Sequence, residues 1–220
     1  MGFLINPFRF VVAGSDFSSD FETAGDWTNR GTGIDVDNVV ADHLASNVGG
    51  GSDIGTSQNM GFTLSDTTWV VDTDYTNTDI EVGNAGGAPM FIGQSAAQFD
   101  ATEQIGLWET GNVNENKLRI MNYTGSGARN DVTYNTILTE GTKYYLRFGR
   151  NTATQTRLSI FTNADYTGEL GTAVTNDSVS SAIDSLDIIQ ACNNDGEASS
   201  KKRYWQMNNV EVYDGVTTPP

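Results

Sequence analysis

Two pairs of carboxylates stand at the spacing that puts both on one face of a strand: Asp35 with Asp37 in GIDVDN, and Asp72 with Asp74 in VVDTDYT. Side chains along a strand alternate between faces, so residues two apart project together. Such a pair can break a glycosidic bond, one group as acid and the other as nucleophile, if the carboxyls lie about 5–5.5 Å apart. Neither pair includes a glutamate or an aromatic-lined context, and the simpler expectation is acids on the solvated face of an alternating strand. Nucleophile chemistry has less to draw on. The chain has one histidine, His43, and one cysteine, Cys192. A Ser–His or Cys–His system would rest on His43 alone, and no nucleophile elbow lies near it. His43 therefore reads as structural. One cysteine excludes an intramolecular disulfide and a cysteine metal cluster, and Cys192 reads as a small buried hydrophobe. The chain is not expected to be an enzyme.

Sugar binding asks less of a sequence: an aromatic platform plus amide and carboxylate groups that reach hydroxyls. Trp108 in GLWETGN, beside Glu109 and Asn112, and Tyr123 in MNYTGSG are the glycan-binding candidates. Trp108 and Tyr123 fall out of phase with Leu107 and Ile120, and so on the face away from the core. Trp27, Trp69 and Trp205 read as core or rim packing.

The elements that must position these groups are strands. In WVVDTDY, Trp69, Val71, Thr73 and Tyr75 share one face, while Val70, Asp72 and Asp74 share the other. In KYYLRFGR, Tyr144, Leu146 and Phe148 alternate with Lys143, Tyr145 and Arg147; the polar turn NTATQT then leads into RLSIFTN. PMFIG, QIGLWE, KLRIMNY, SLDIIQA and NNVEVY continue the series between Gly, Asn, Asp, Ser and Thr clusters, and no window carries a convincing helical period. The 24 glycines suit the turns and bends of such a fold. The expectation is an all-β sandwich over 14–216, with an arm at 1–13 and a short tail at 217–220.

Composition narrows the function. The formal net charge is −16, from 28 acidic and 12 basic residues, and such a surface repels phosphate backbones. The basic triplet Lys201, Lys202 and Arg203 reads as a solvated turn, so nucleic acid is not an expected partner. No stretch approaches the ~20 apolar residues that span a bilayer as a helix. The opening MGFLINPFRF has no positive charge ahead of its short apolar run and fails the signal-peptide pattern. It is expected to remain on the protein. Phe3, Leu4, Ile5, Phe8 and Phe10 then form either a docking arm for a neighbouring subunit or an edge strand of their own domain. The sequons at Asn122 and Asn176 read as chance.

DFSSDFETAGDWT, FTLSDTTWVVDTDY, TEGTKYYLRFGRN, LSIFTNADYTGE and NNVEVYDGVT occur in this order. Together they resemble the concanavalin A-like lectin/glucanase superfamily, in particular its laminin-G-like jelly rolls, over roughly residues 15–215. The resemblance implies a concanavalin A-like jelly-roll β-sandwich of two antiparallel sheets. It fixes no activity, and the Glu-x-Asp-x-x-Glu signature of the superfamily's glycanases is absent. It also implies a structural Ca²⁺ held by an N-terminal acidic loop and the last strand. Asp16, Asp20 and Glu22 match that loop, whereas Asn209 stands where relatives frequently carry Asp. Separately, LINPFRF resembles the INPYRF-type openings of tailed-phage tail and virion-surface proteins. These resemblances imply a virion-surface structural protein (capsid decoration, head fibre or tail-associated), oligomeric, contacting other virion proteins through its arm, with affinity for cell-surface glycans. The alternative is a carbohydrate-binding module of a secreted polysaccharide-degrading system.

Overall fold

The structure is a computed structural model that describes residues 14–19, 21, 26–30, 34–37, 40–44, 53–80, 87–96, 102–109, 116–125, 129–194 and 203–219. For 29–30, 34–37, 40–44, 53–54, 79–80, 192–194 and 203–204 it describes the backbone only. Phe3, Leu4, Ile5, Phe8 and Phe10, expected as a docking arm or an edge strand, and also Asp20, Glu22 and Asn112, lie outside the described residues. So do the side chains of Asp35, Asp37, His43 and Cys192.

The described residues form fifteen strands and no helix: β1 (Phe17–Ser19), β2 (Thr28–Arg30), β3 (Ile34–Asp37), β4 (Val40–Leu44), β5 (Asp53–Asn59), β6 (Trp69–Ile80), β7 (Ala88–Gly93), β8 (Glu103–Glu109), β9 (Leu118–Thr124), β10 (Arg129–Thr133), β11 (Lys143–Thr152), β12 (Gln155–Phe161), β13 (Val174–Asn176), β14 (Ile188–Asn194) and β15 (Arg203–Asp214). They build two antiparallel sheets. One runs β13-β12-β11-β6-β15-β4-β3, with β1 pairing β15; the other runs β10-β9-β8-β7-β14-β5-β2. This is the jelly-roll β-sandwich. The late strand β15 sits inside its sheet, flanked on one side by β6 and on the other by β4 and β1, which anchors the C-terminal end of the chain.

The alternation read from the sequence decides which faces meet. Trp69, Val71 and Tyr75 of β6, Tyr144, Leu146 and Phe148 of β11, and Leu158 and Ile160 of β12 pack from one sheet against Met90, Ile92, Ile105, Leu107, Leu118, Ile120 and Ile189 of the other. Each large side chain buried in this layer contributes about 1.5–3 kcal/mol. Trp27, Trp69 and Trp205 all belong to this core, as the sequence suggests.

Polar groups inside the sandwich are tied across it. The Tyr75 hydroxyl donates to Glu109, and Asn77 Nδ2 donates to Glu109 Oε1 at 3.1 Å, joining the two sheets. At another point Arg150 is buried, and its guanidinium donates to the carbonyls of Ile183 (2.7 Å) and Ala153 (2.6 Å). Burial pushes its pKa down. A buried cation needs such partners, and here they pin the connection between β13 and β14. Asn122 and Asn176 are buried, which makes both unsuited as glycan acceptors.

Candidate functional site

The face of the seven-stranded sheet that points away from the core is assembled by cross-strand register. One rank reads Thr28–Ser57–Gln190–Phe91–Gly106–Met121–Asp131 across β2, β5, β14, β7, β8, β9 and β10. The neighbouring rank reads Asn59–Ile188–Gly93–Gln104–Tyr123–Arg129, and a third pairs Trp108 with Arg119 and Thr133. Residues directly opposite on adjacent strands share a face. Trp108 and Tyr123 therefore lie together on the outer face, as their phase predicts.

This face has its own apolar floor. Ala88, Phe91 and Met121 are buried and form a cluster separate from the main core, with the half-buried Trp108 packed on it. Gly106 makes this possible. A Cβ there would come within 2.2 Å of the Phe91 Cβ and 2.5 Å of the Met90 carbonyl oxygen, so only a glycine lets the Phe91 ring settle over β8. The Arg129 guanidinium stands over the Trp108 ring, 6.0 Å from its centre, within the range of a cation–π contact. Arg119 Nη1 donates to Asp131 Oδ2 at 2.7 Å, and Arg129 Nε lies 3.7 Å from Asp131 Oδ1. At the far end of the same face a groove of about 380 Å³ runs between Asp26, Thr28, Ser57, Asn59 and Ile188.

Among the described side chains, the carboxylates on this face do not form a catalytic pair. Among residues with described side chains, Asp131 is the one acid at an outward strand position, and two arginines hold it. Asp26 lines the groove at the β2 end, and β2 and β10 are six strand intervals apart. At about 4.8 Å per interval the separation is roughly 29 Å, far outside the 5–9.5 Å that glycoside hydrolysis uses.

The other candidates are distributed elsewhere. Glu109 is on the face opposite Trp108, buried between the sheets with Tyr75 and Asn77; it is interior structure and not a partner of Trp108 in a surface site. The sequence places it next to Trp108, and that adjacency is what separates them, since consecutive strand residues face opposite ways. Asp72 and Asp74 are on the outer face of the eight-stranded sheet, but Asp72 is not solvated. Arg147 covers it with two charge-assisted bonds, Nε to Oδ1 at 2.8 Å and Nη2 to Oδ2 at 2.7 Å. Burial raises the pKa of the Asp72 carboxyl above its ordinary value despite that pull, and the pair raises that of Arg147. Asp74 receives Lys143 Nζ at 3.3 Å and Asn209 Nδ2 at 3.4 Å.

Asp16 and Asn209, expected at one metal site, do not meet. Asp16 Oδ2 accepts the Asp214 amide at 2.7 Å, and Asn209 lies five residues away along β15, roughly 16 Å at strand rise. Asn209 instead occupies the irregularity of β15 between Asn208 and Val210, with φ of 49°, a left-handed conformation that asparagine tolerates. Among the described residues, no three His, Cys, Asp or Glu side chains are grouped to hold a metal ion.

Sequence reading missed Gln104, Arg119, Arg129 and Asp131 as parts of the Trp108 face. Arg119 and Asp131 carry a local signal, each an odd number of residues from the core positions Leu118, Ile120 and Val132. The register that aligns β10 with β9 is not local.

No protein-family model matches the chain, and no curated protein sequence matches it. Solved structures do match. A β-1,3-1,4-glucanase (lichenase) from a mouse hindgut metagenome aligns over 91% of this chain and 99% of its own, with a TM-score of 0.59 and 10% identity. The CBM2 module of the evolved Dit of Lactobacillus casei BL23 phage J-1 aligns over 93% and 97%, with a TM-score of 0.58 and 11% identity. Lectin II from Ulex europaeus aligns over 89% and 99%, with a TM-score of 0.53 and 11% identity. The fold is thus the jelly roll shared by lectins, glucanases and carbohydrate-binding modules.

Proposed function

We propose that this protein is a non-catalytic, glycan-binding jelly roll displayed on a virion surface as a capsid-decoration, head-fibre or tail-associated protein. It binds cell-surface sugars through the outer face of the seven-stranded sheet. The observation that carries the reading is the composition of that face. Trp108 and Tyr123 offer ring surfaces for sugar C–H groups, and Arg119 and Arg129 offer donors for hydroxyls. Its strand carboxylate, Asp131, is held between two arginines and, among the described side chains, has no partner acid at catalytic distance. The virion setting is supported by the resemblance of LINPFRF to virion-protein openings and by the same fold in a module of a phage Dit. Phe3, Leu4, Ile5, Phe8 and Phe10 form the docking arm toward neighbouring virion proteins, and the protein assembles as a homo-oligomer.

Two experiments test this. A glycan array probed with the full chain and with Trp108→Ala reads the binding face; equal signal from both would remove it. Deleting residues 1–12 should abolish incorporation into particles while leaving the β-sheet circular dichroism intact. A monomer that binds glycans yet never enters particles would favour the secreted polysaccharide-binding module instead.

A further inference from the structure

The outer face of the opposite, eight-stranded sheet carries a pocket that the reading above does not use. It has a volume of about 160 Å³, and its polar walls are Arg147, Asn151, Arg157, Ser159, Thr217 and Thr218. Val70 and Gly149 lie beneath, and the Phe161 ring forms one side. Gly149 leaves this floor bare because β6 and β11 approach so closely that a Cβ would fall 2.1 Å from the Trp69 carbonyl oxygen. The segment after β15 turns back through a bond from the Gly215 amide to the Thr68 carbonyl oxygen (2.9 Å), which brings Thr217 and Thr218 to the rim.

The charge of this pocket sets it apart. The chain carries −16 overall; the groove at the β2 end of the Trp108 face includes Asp26, and a second groove between Ser18, Gln58 and Asn209 includes both Asp26 and Glu211. This pocket is lined by two arginines and no carboxylate. Arg147 is fixed before any ligand arrives: Asp72 holds one edge of its fork, and its Cζ lies 4.7 Å from the Tyr166 ring centre and 5.8 Å from that of Phe161. The Nη1 hydrogens are not taken up by any described hydrogen bond. Arg157 is half exposed, and its acidic partner among the described residues, Glu169, is 3.9 Å away, a loose contact that costs little to give up. Ser159 is buried and makes no described side-chain hydrogen bond. A fixed donor fork, a second, half-exposed cation, hydroxyl and amide groups and one aromatic wall match a carboxylate carried on a hydroxylated ring. The volume, below the several hundred Å³ of larger ligand sites, suits one ring.

We propose that this pocket binds a single uronic-acid unit, its carboxylate received by Arg147 and Arg157 and its ring by Phe161. The site is distinct from the Trp108 face and goes beyond the glycan reading made there.

The test is a titration of the ¹⁵N-labelled full chain, followed by amide NMR, with sodium glucuronate, glucose and sodium acetate. Glucuronate should shift the amides of Arg157, Ser159, Thr217 and Thr218 saturably, and both glucose and acetate should bind at least tenfold more weakly. Arg157→Ala should weaken glucuronate at least fivefold with an unchanged melting temperature; Arg147 is left intact because Asp72 depends on it. Equal binding of acetate would reduce the pocket to an anion site, and equal binding of glucose would make the arginines irrelevant; either overturns the proposal. So does the absence of shifts, or shifts confined to β8–β10, and these leave the Trp108 reading standing. Loss of array binding in Trp108→Ala, with the glucuronate shifts retained, would separate the two sites.

Discussion

Replacing Arg147 with alanine strands Asp72, whose side chain is only 3% exposed. Removing one partner of a buried ion pair costs about 3–5 kcal/mol, because the remaining charge stays desolvated. Arg147 itself is 23% exposed, so water can follow into the gap, and the low end, about 3 kcal/mol, applies. The lost contact with the Tyr166 ring adds about 0.5–1 kcal/mol. In a domain of this size each kcal/mol lowers Tm by about 2–4 °C, so Arg147→Ala should melt about 7–16 °C below wild type. Asp72→Ala leaves a partly solvated guanidinium and should cost about 1–2 kcal/mol. Urea unfolding of both single variants and the double variant, followed by circular dichroism, closes the cycle. The coupling should be about 1.5–3 kcal/mol. A cost below about 1 kcal/mol for Arg147→Ala, or additivity within about 0.5 kcal/mol, would refute the view that this pair is a desolvated unit.

Gly106→Ala should destabilise by about 3 kcal/mol or more, since its Cβ meets backbone and Cβ atoms of β7 that cannot move aside; a denaturation midpoint within error of wild type would refute this. Asn209→Gly should be close to neutral and Asn209→Ala should cost about 1 kcal/mol, because alanine resists the left-handed conformation at φ 49°; equal stabilities in urea would contradict it. Tyr134, Tyr166 and Tyr213 are held above the ordinary tyrosine value of 10.0, in each case mainly by burial. A group whose folded pKa is raised contributes stability below its unfolded pKa and loses it as pH climbs toward the folded value. Stability should therefore fall above pH ~10, and part of the tyrosinate absorbance should appear only as the β-sheet signal disappears. Full ionisation with the sheet signal intact would count against it.

The strands that carry the core were legible because their alternation is local. Trp69, Val71 and Tyr75 against Val70, Asp72 and Asp74 could be read residue by residue, and the structure places them so. The sheet edges were not legible. β10, with burial running exposed to intermediate and no fully buried side chain, lacks the apolar beat that marks a half-buried strand, and it is placed by pairing with β9. The site shows the same division. The outward phase of Trp108 and Tyr123 follows from period two, and the same period, applied to Glu109, turns it into the core. That Asp72 is covered by an arginine 75 residues away follows from the β6–β11 register and from nothing local. The close approach of β7 to β8 over Gly106 likewise needs the paired strands: the sequence shows a glycine in GLWE, and only the opposed Phe91 gives it a reason.

The central claim is that the Trp108 face binds sugar without cleaving it. Its most direct test is to incubate the full chain with the polysaccharide that scores highest on a glycan array, measuring in one sample the retained protein and the released reducing ends. The account predicts retention that falls at least tenfold in Trp108→Ala while its β-sheet circular dichroism at the assay temperature matches wild type, with no reducing ends above the protein-free control. Reducing ends that grow with time, or retention indifferent to Trp108, would contradict it.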